Sequence, residues 1–116
     1  MNRTEEAASA VQRALLACVG PGAAEQLALA QARLAWLEAV AAAGLDRGGM
    51  SSRLIGMSAG TAQVEASEPI LAQELTLRAE ALVHAANQRM AGRPGATMVI
   101  RRVTVSVARW GGGRSL

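Results

Sequence analysis

Read from its start, the chain opens on apolar residues at helical spacing. From Thr4 to Val19, Ala7, Val11, Ala14, Leu15 and Cys18 recur three or four residues apart, the period of one helix face. Thr4 is placed to cap this helix, and Glu5 and Glu6 fall in its first turn, where negative charge suits the helix dipole. Gly20-Pro21-Gly22 ends it. A second helix is predicted over 23–43, with Leu27, Ala30, Leu34, Leu37 and Ala41 as its stripe and Leu29, Trp36 and Val40 widening it. Gly44 is a natural stop, and Asp46 to Ser52 has the composition of a loop.

The period then changes from about 3.6 to 2. In "TAQVEAS", from Thr61, the residues Ala62, Val64 and Ala66 alternate with Thr61, Gln63 and Glu65. Together with "RLIGMS" before it and Ala59-Gly60 between, this predicts a β-hairpin. Pro69 then suits the first position of a third helix, predicted over 69–91, with Leu71, Leu75, Ala79, Leu82, Ala86 and Met90 on one face. Gly92 and Pro94 terminate it. The last strand is predicted over 97–108. Its period puts Val99, Arg101, Val103, Val105 and Val107 on one face and Met98, Ile100, Arg102, Thr104 and Ser106 on the other. The expected order is α-α-β-β-α-β, an α+β domain with helices on a small three-stranded sheet.

At 116 residues the chain has room for one domain with a core of ordinary size. Phe and Tyr are absent and the only aromatics are Trp36 and Trp110, so Ala, Leu and Val must build that core. The formal charge is only +3, although the pI is about 11.0. Every basic residue is Arg, which stays charged to about pH 12 or above, so the pI reports guanidinium chemistry more than an excess of cations. Distribution matters more. Residues 89–116 carry Arg89, Arg93, Arg101, Arg102, Arg109 and Arg114 and no acid, whereas the rest of the chain is weakly acidic. A surface built for solubility mixes signs; a one-sided basic end points to a polyanion. Trp110 adds a ring on which a base can stack. These seven residues are the candidate nucleic-acid contacts.

Other motifs carry plainer readings. Trp36 lies among Leu and Ala and is expected to anchor the core. Gly92-Arg93-Pro94-Gly95 has the Gly-x-x-Gly form of a nucleic-acid backbone clamp, but Pro94 lacks an N–H and helix termination explains the glycine. His84 and Cys18 are the only soft nitrogen and sulfur candidates and do not make a four-ligand zinc site. The chain carries no phosphate-binding loop of the Gly-x-x-x-x-Gly-Lys type and no nucleophile with an identifiable base. No catalytic, metal or cofactor site is expected, and no small-molecule substrate. Lone Cys18, the lack of a signal-like apolar run and the lack of a membrane-length apolar stretch give a cytoplasmic expectation with no membrane partner.

Several of these residues fall into a recognisable order. Trp36 precedes Val40 in the long helix, Gly60 leads into the alternating strand, and "SEPILAQELTLRAEALVHAAN" carries Glu74-Leu75 and Asn87. "VIRRVTVSV" then closes the series. Over 23–107 this resembles the DciA family of bacterial replicative helicase loaders. Two departures stand out: Ala41 to Ala43 occupy the place of a usual Gly, and the long basic tail of many members is reduced to "RWGGGRSL". The resemblance implies a K-homology-like fold with helices on one face of the sheet. It also implies a non-catalytic, nucleoid-associated replication protein that contacts the DnaB-type replicative helicase and single-stranded or forked DNA.

The expected organisation is an N-terminal helix and break over 1–22, a K-homology-like domain over 23–108 and a short basic tail over 109–116. Two alternatives remain open at this point: an RNA- or ribosome-binding factor of K-homology type, and a protein-only adaptor whose arginines meet an acidic partner. The role of the first helix, as a cap on the domain or a contact to a second copy, is also open.

Overall fold

The Ala-rich segment Pro21–Ala42 forms one continuous helix, α1, in the computed structural model, which describes residues 21–108. β1 (Ser52–Ser58), β2 (Thr61–Ala66), α2 (Pro69–Leu77), α3 (Ala79–Met90) and β3 (Arg102–Val107) follow. The helix expected over 4–19, with Cys18, and the tail residues Arg109, Trp110 and Arg114 lie outside the described residues. Within them the molecule is α+β, with three helices and a mixed three-stranded sheet.

The buried face of α1 is not the expected one. Ala28, Ala32, Ala35, Trp36, Ala39 and Val40 are buried, while Leu34 and Leu37 are 47% and 50% exposed. Leu, Ala and Val surround this helix on most sides, so amphipathic contrast did not mark the inner face. Packing decides it. α1 lies against both α3 and β1, and alanines let its backbone approach closely while Trp36 fills the remaining space. The Trp36 indole N–H donates to Ser52 Oγ at 3.0 Å, which satisfies the ring's one polar atom and a buried serine together. At the C-terminal end Gly44 takes φ 73°, its N–H donates to the Ala41 carbonyl, and the Leu45 N–H donates to the Val40 carbonyl. This is a Schellman cap, with buried Leu45 supplying its apolar contact.

β1 and β2 pair antiparallel, from Ser52 opposite Ala66 to Ser58 opposite Thr61. Ala59 and Gly60 between them have φ 50° and 82°, the two positive values of a two-residue type I′ hairpin. The register slips once, where Ile55 and Gly56 together oppose Gln63, a bulge in the edge strand. β3 pairs parallel to β2, with Arg102 opposite Thr61 and Val107 opposite Ala66, so β2 is central. Leu54, Ala62, Val64 and Ala66 point into the core beneath the helices, with Val103 and Val105 half-buried beside them. Arg53, Gln63, Arg102, Thr104 and Ser106 lie on the open face.

The third expected helix is two. It breaks at Arg78 (φ −104°, ψ 14°), although no Gly or Pro stands there. Two residues earlier the Thr76 hydroxyl donates back to the Ala72 carbonyl at 2.9 Å, a contact that bends helices. The expected stripe nonetheless survives the break, since Leu71, Leu75, Leu82, Ala86 and Met90 are all buried. The last strand is also shorter than expected, starting at Arg102 and not at Thr97. Ahead of it the expected alternation is out of phase: Ile100 is buried and Val99 is 60% exposed. The cause is Asn87, whose side-chain amide donates to the Ile100 carbonyl at 2.8 Å and whose Oδ1 accepts the Ile100 N–H at 2.9 Å. Those two bonds tie Ile100 to α3 and turn its side chain inward.

Two substitutions test this account. Trp36→Ala removes the largest core side chain and is expected to lower unfolding free energy by about 3–5 kcal/mol in denaturant titration. Ala59→Asn relieves a left-handed alanine in an exposed turn and should raise stability by about 1 kcal/mol. A neutral or destabilising result for Ala59→Asn would contradict the type I′ geometry.

Candidate nucleic-acid interface

Arg101 and Arg102 enter β3 beside the hairpin turn, and their backbone is held on both sides. The Gly60 carbonyl accepts the Arg101 N–H at 2.8 Å and the Arg102 N–H at 3.3 Å, while Asn87 holds the preceding residue. The aliphatic stem of Arg101 lies directly over Gly60: a Cβ at that glycine would stand 3.0 Å from Arg101 Cδ. Glycine is therefore required at 60 twice, for its positive φ and for this approach. Both arginine side chains are exposed, and neither has a carboxylate within ion-pair distance among the described residues. Strand alternation sends adjacent side chains to opposite faces. Arg102 accordingly shares the open sheet face with Thr104, Ser106 and Gln63.

Arg89 and Arg93 sit differently. Both reach Glu38 of α1: Arg93 Nη2 hydrogen-bonds to its Oε1, and Arg89 Nη1 lies 4.0 Å from the same oxygen. The stretch of sequence that holds them is free of acids, but the fold brings one in from 55 positions away. The junction is partly exposed, so the pairs contribute at most about 1 kcal/mol each. Beside them the Gln31 amide donates to the Pro94 carbonyl at 3.2 Å. Arg93 Nη1 and Gln31 Oε1 are buried there without a hydrogen-bond partner among the described residues.

The Gly-x-x-Gly loop has few donors to offer an anion. Gly92 and Gly95 have φ 82° and 78°, and their freedom closes two tight turns. The Arg93 N–H donates to the Met90 carbonyl and the Ala96 N–H to the Arg93 carbonyl, and Pro94 has no N–H. The loop terminates α3 and does not sit between α2 and α3, which are separated by Arg78 alone.

The candidate contacts thus fall into three groups. Arg101 and Arg102 are exposed and without carboxylate partners among the described residues, and Arg89 and Arg93 converge on Glu38. Arg109, Trp110 and Arg114 follow the far end of β3, outside the described residues. With about 3.3 Å of rise per residue, the length of β3 separates its first arginine from the point where the tail leaves. Trp36 is fully buried and His84 is exposed on α3.

Sequence reasoning did not single out two further cations. Arg33 donates to the carbonyls of Leu54 and Ile55, at 3.1 and 3.4 Å, on the edge of β1. Arg53 pairs with Glu65 across the open face at 3.0 Å. The Arg53–Glu65 pair follows from the hairpin register, whereas nothing local in the sequence marks Arg33 as an edge cap. Among the described residues no helix is long and apolar enough to cross a membrane. No protein-family model, curated protein or solved structure matches the chain.

The Glu38 junction gives a direct test. Glu38→Gln releases Arg89 and Arg93 without disturbing the core, and the variant should elute from an immobilised polyanion such as heparin at higher salt than the parent. Unchanged elution would mean that these two arginines take no part in a polyanion surface.

Proposed function

We propose that this protein is a non-enzymatic DNA replication factor with a K-homology-like fold, which binds a DnaB-type replicative helicase and single-stranded or forked DNA and assists placement of the helicase ring. The observation that carries the DNA contact is Arg101 with Arg102: two arginines consecutive in sequence, both exposed, without carboxylate partners in the described residues and mounted on a backbone fixed by Gly60 and Asn87. Guanidinium groups suit phosphate because their planar fork of donors matches its oxygens. Thr104, Ser106 and Gln63 on the same sheet face as Arg102 offer hydroxyl and amide groups to phosphate and sugar oxygens. Such contacts position a strand without reading its bases. The described part of the open face carries no aromatic ring, so base stacking falls to Trp110 in the tail.

The helicase contact rests on the resemblance of 23–107 to the DciA family. Helices on one face of a small three-stranded sheet are the arrangement that resemblance implies. The reading assigns no chemical step to the protein; binding energy alone biases the ring toward the strand. The Gly92–Gly95 loop lends little to a backbone-amide clamp of K-homology type, because the Arg93 N–H is spent on the Met90 carbonyl and Pro94 has none.

Charge reversal of Arg101 and Arg102 to Glu tests the reading. For single strands each neutralised phosphate contributes about 0.7 to the log–log salt slope, so losing two contacts should flatten it by about 1.4 and weaken DNA binding at low salt. Helicase capture in a nuclease-treated pull-down should survive. If capture fails without nucleic acid while DNA affinity holds, the arginines serve an acidic protein partner. If structured RNA or ribosomal subunits bind more tightly than single-stranded DNA in parallel titrations, the polymer is RNA.

A further inference from the structure

The outer face of α1 is apolar and uncovered by the described residues. Leu27, Ala30, Leu34, Leu37 and Ala41 follow one another at alternating steps of three and four, the spacing of a seam that receives a second helix. Leu34 and Leu37 are about half exposed, and Ile55 on the β1 bulge is 38% exposed. Leu37 and Ile55 line a hollow of about 420 Å³ together with Leu54, Arg33 and Arg53. A helix covering this face needs a narrow apolar stripe as long as the α1 seam, and an acid at the end that reaches Leu37 would lie near Arg33, whose guanidinium meets only neutral carbonyls among the described residues.

We propose that residues 4–19 of this chain fold back as a helix antiparallel to α1 and cover this seam. Their sequence places Ala7, Val11, Ala14 and Cys18 at steps of four, three and four, a stripe of matching width. Straight continuation into α1 is disfavoured at the junction. Pro21 occupies the first position of α1, biases Gly20 away from the helical region and cannot supply the hydrogen bond of an unbroken helix. Gly20, the one residue between the two segments, is free to take the backbone angles a reversal needs, and helix pairs joined by short connections pack antiparallel.

Size and charge both match in that orientation. Counting outward from Gly20, Ala14 falls near Leu27, Val11 near Ala30 and Ala7 near Leu34, so small side chains meet large ones across the seam. Glu5 and Glu6 then arrive beside Leu37, at the hollow whose wall carries Arg33, a cation bonded only to neutral carbonyls among the described residues, while Arg53 on the same hollow already pairs with Glu65. Tethering also favours this occupant over a second copy, because a short connection holds the segment at an effective concentration of order millimolar.

Hydrogen exchange and thermal unfolding of the full chain test the proposal, using a Leu34→Glu/Leu37→Glu variant and a Val11→Glu variant. The parent should show slowed amide exchange over residues 4–19, independent of protein concentration. Each variant should lose that protection and drop in Tm by about 4 °C or more, while buried Trp36 keeps its blue-shifted emission. Combining all three substitutions should lower Tm little beyond either variant alone. Free exchange over 4–19 in the parent overturns the proposal, leaving the seam to a partner protein. Protection that grows with protein concentration overturns it in favour of a second copy, and additive losses of Tm show that the two stripes do not meet.

Discussion

The described domain hangs on one indole. Trp36 is the largest fully buried side chain, and it projects from a helix face otherwise lined with alanines and Val40. Its bond to Ser52 Oγ fixes where β1 begins relative to α1. With β1 placed, the hairpin register follows, and with it the position of Gly60 against the start of β3. A core without Phe or Tyr has few side chains able to set such long-range geometry. The alanines give proximity; the tryptophan gives position.

The arginine pair inherits that order. Arg101 and Arg102 belong to no helix and only just to a strand, yet their backbone is gripped from the turn on one side and from Asn87 on the other. Long flexible side chains on a fixed base can adapt to an irregular phosphate path without the domain having to reorganise. Glu38 works the other way. By drawing Arg89 and Arg93 toward α1 it leaves that cluster partly neutralised, in contrast to Arg101 and Arg102, which have no carboxylate partner among the described residues.

How far the sequence revealed this depends on how local each cause is. The hairpin was legible because Ala59-Gly60 and the alternation of Ala62, Val64 and Ala66 are contiguous signals. So were the Gly44 stop and the stripe from Leu71 to Met90. The inner face of α1 was not, because Leu and Ala share most of its circumference and only the neighbours α3 and β1 choose between them. The break at Arg78 comes from a threonine hydroxyl turned back on its own helix. The phase of Ile100 comes from Asn87, 13 positions earlier. At the candidate interface, counting charges along 89–116 found the arginines but missed the carboxylate that partners two of them, since pairing is a property of space and not of order along the chain.

The two borders of the sheet are unlike. Arg33 reaches from α1 to occupy carbonyls of Leu54 and Ile55 where β1 bulges, so an extended segment approaching from that side meets a cation and a kink. Among the described residues β3 has a strand neighbour on one flank only. The β1 border is thereby guarded against a further strand, whereas the flank of β3 away from β2 has no strand against it among the described residues.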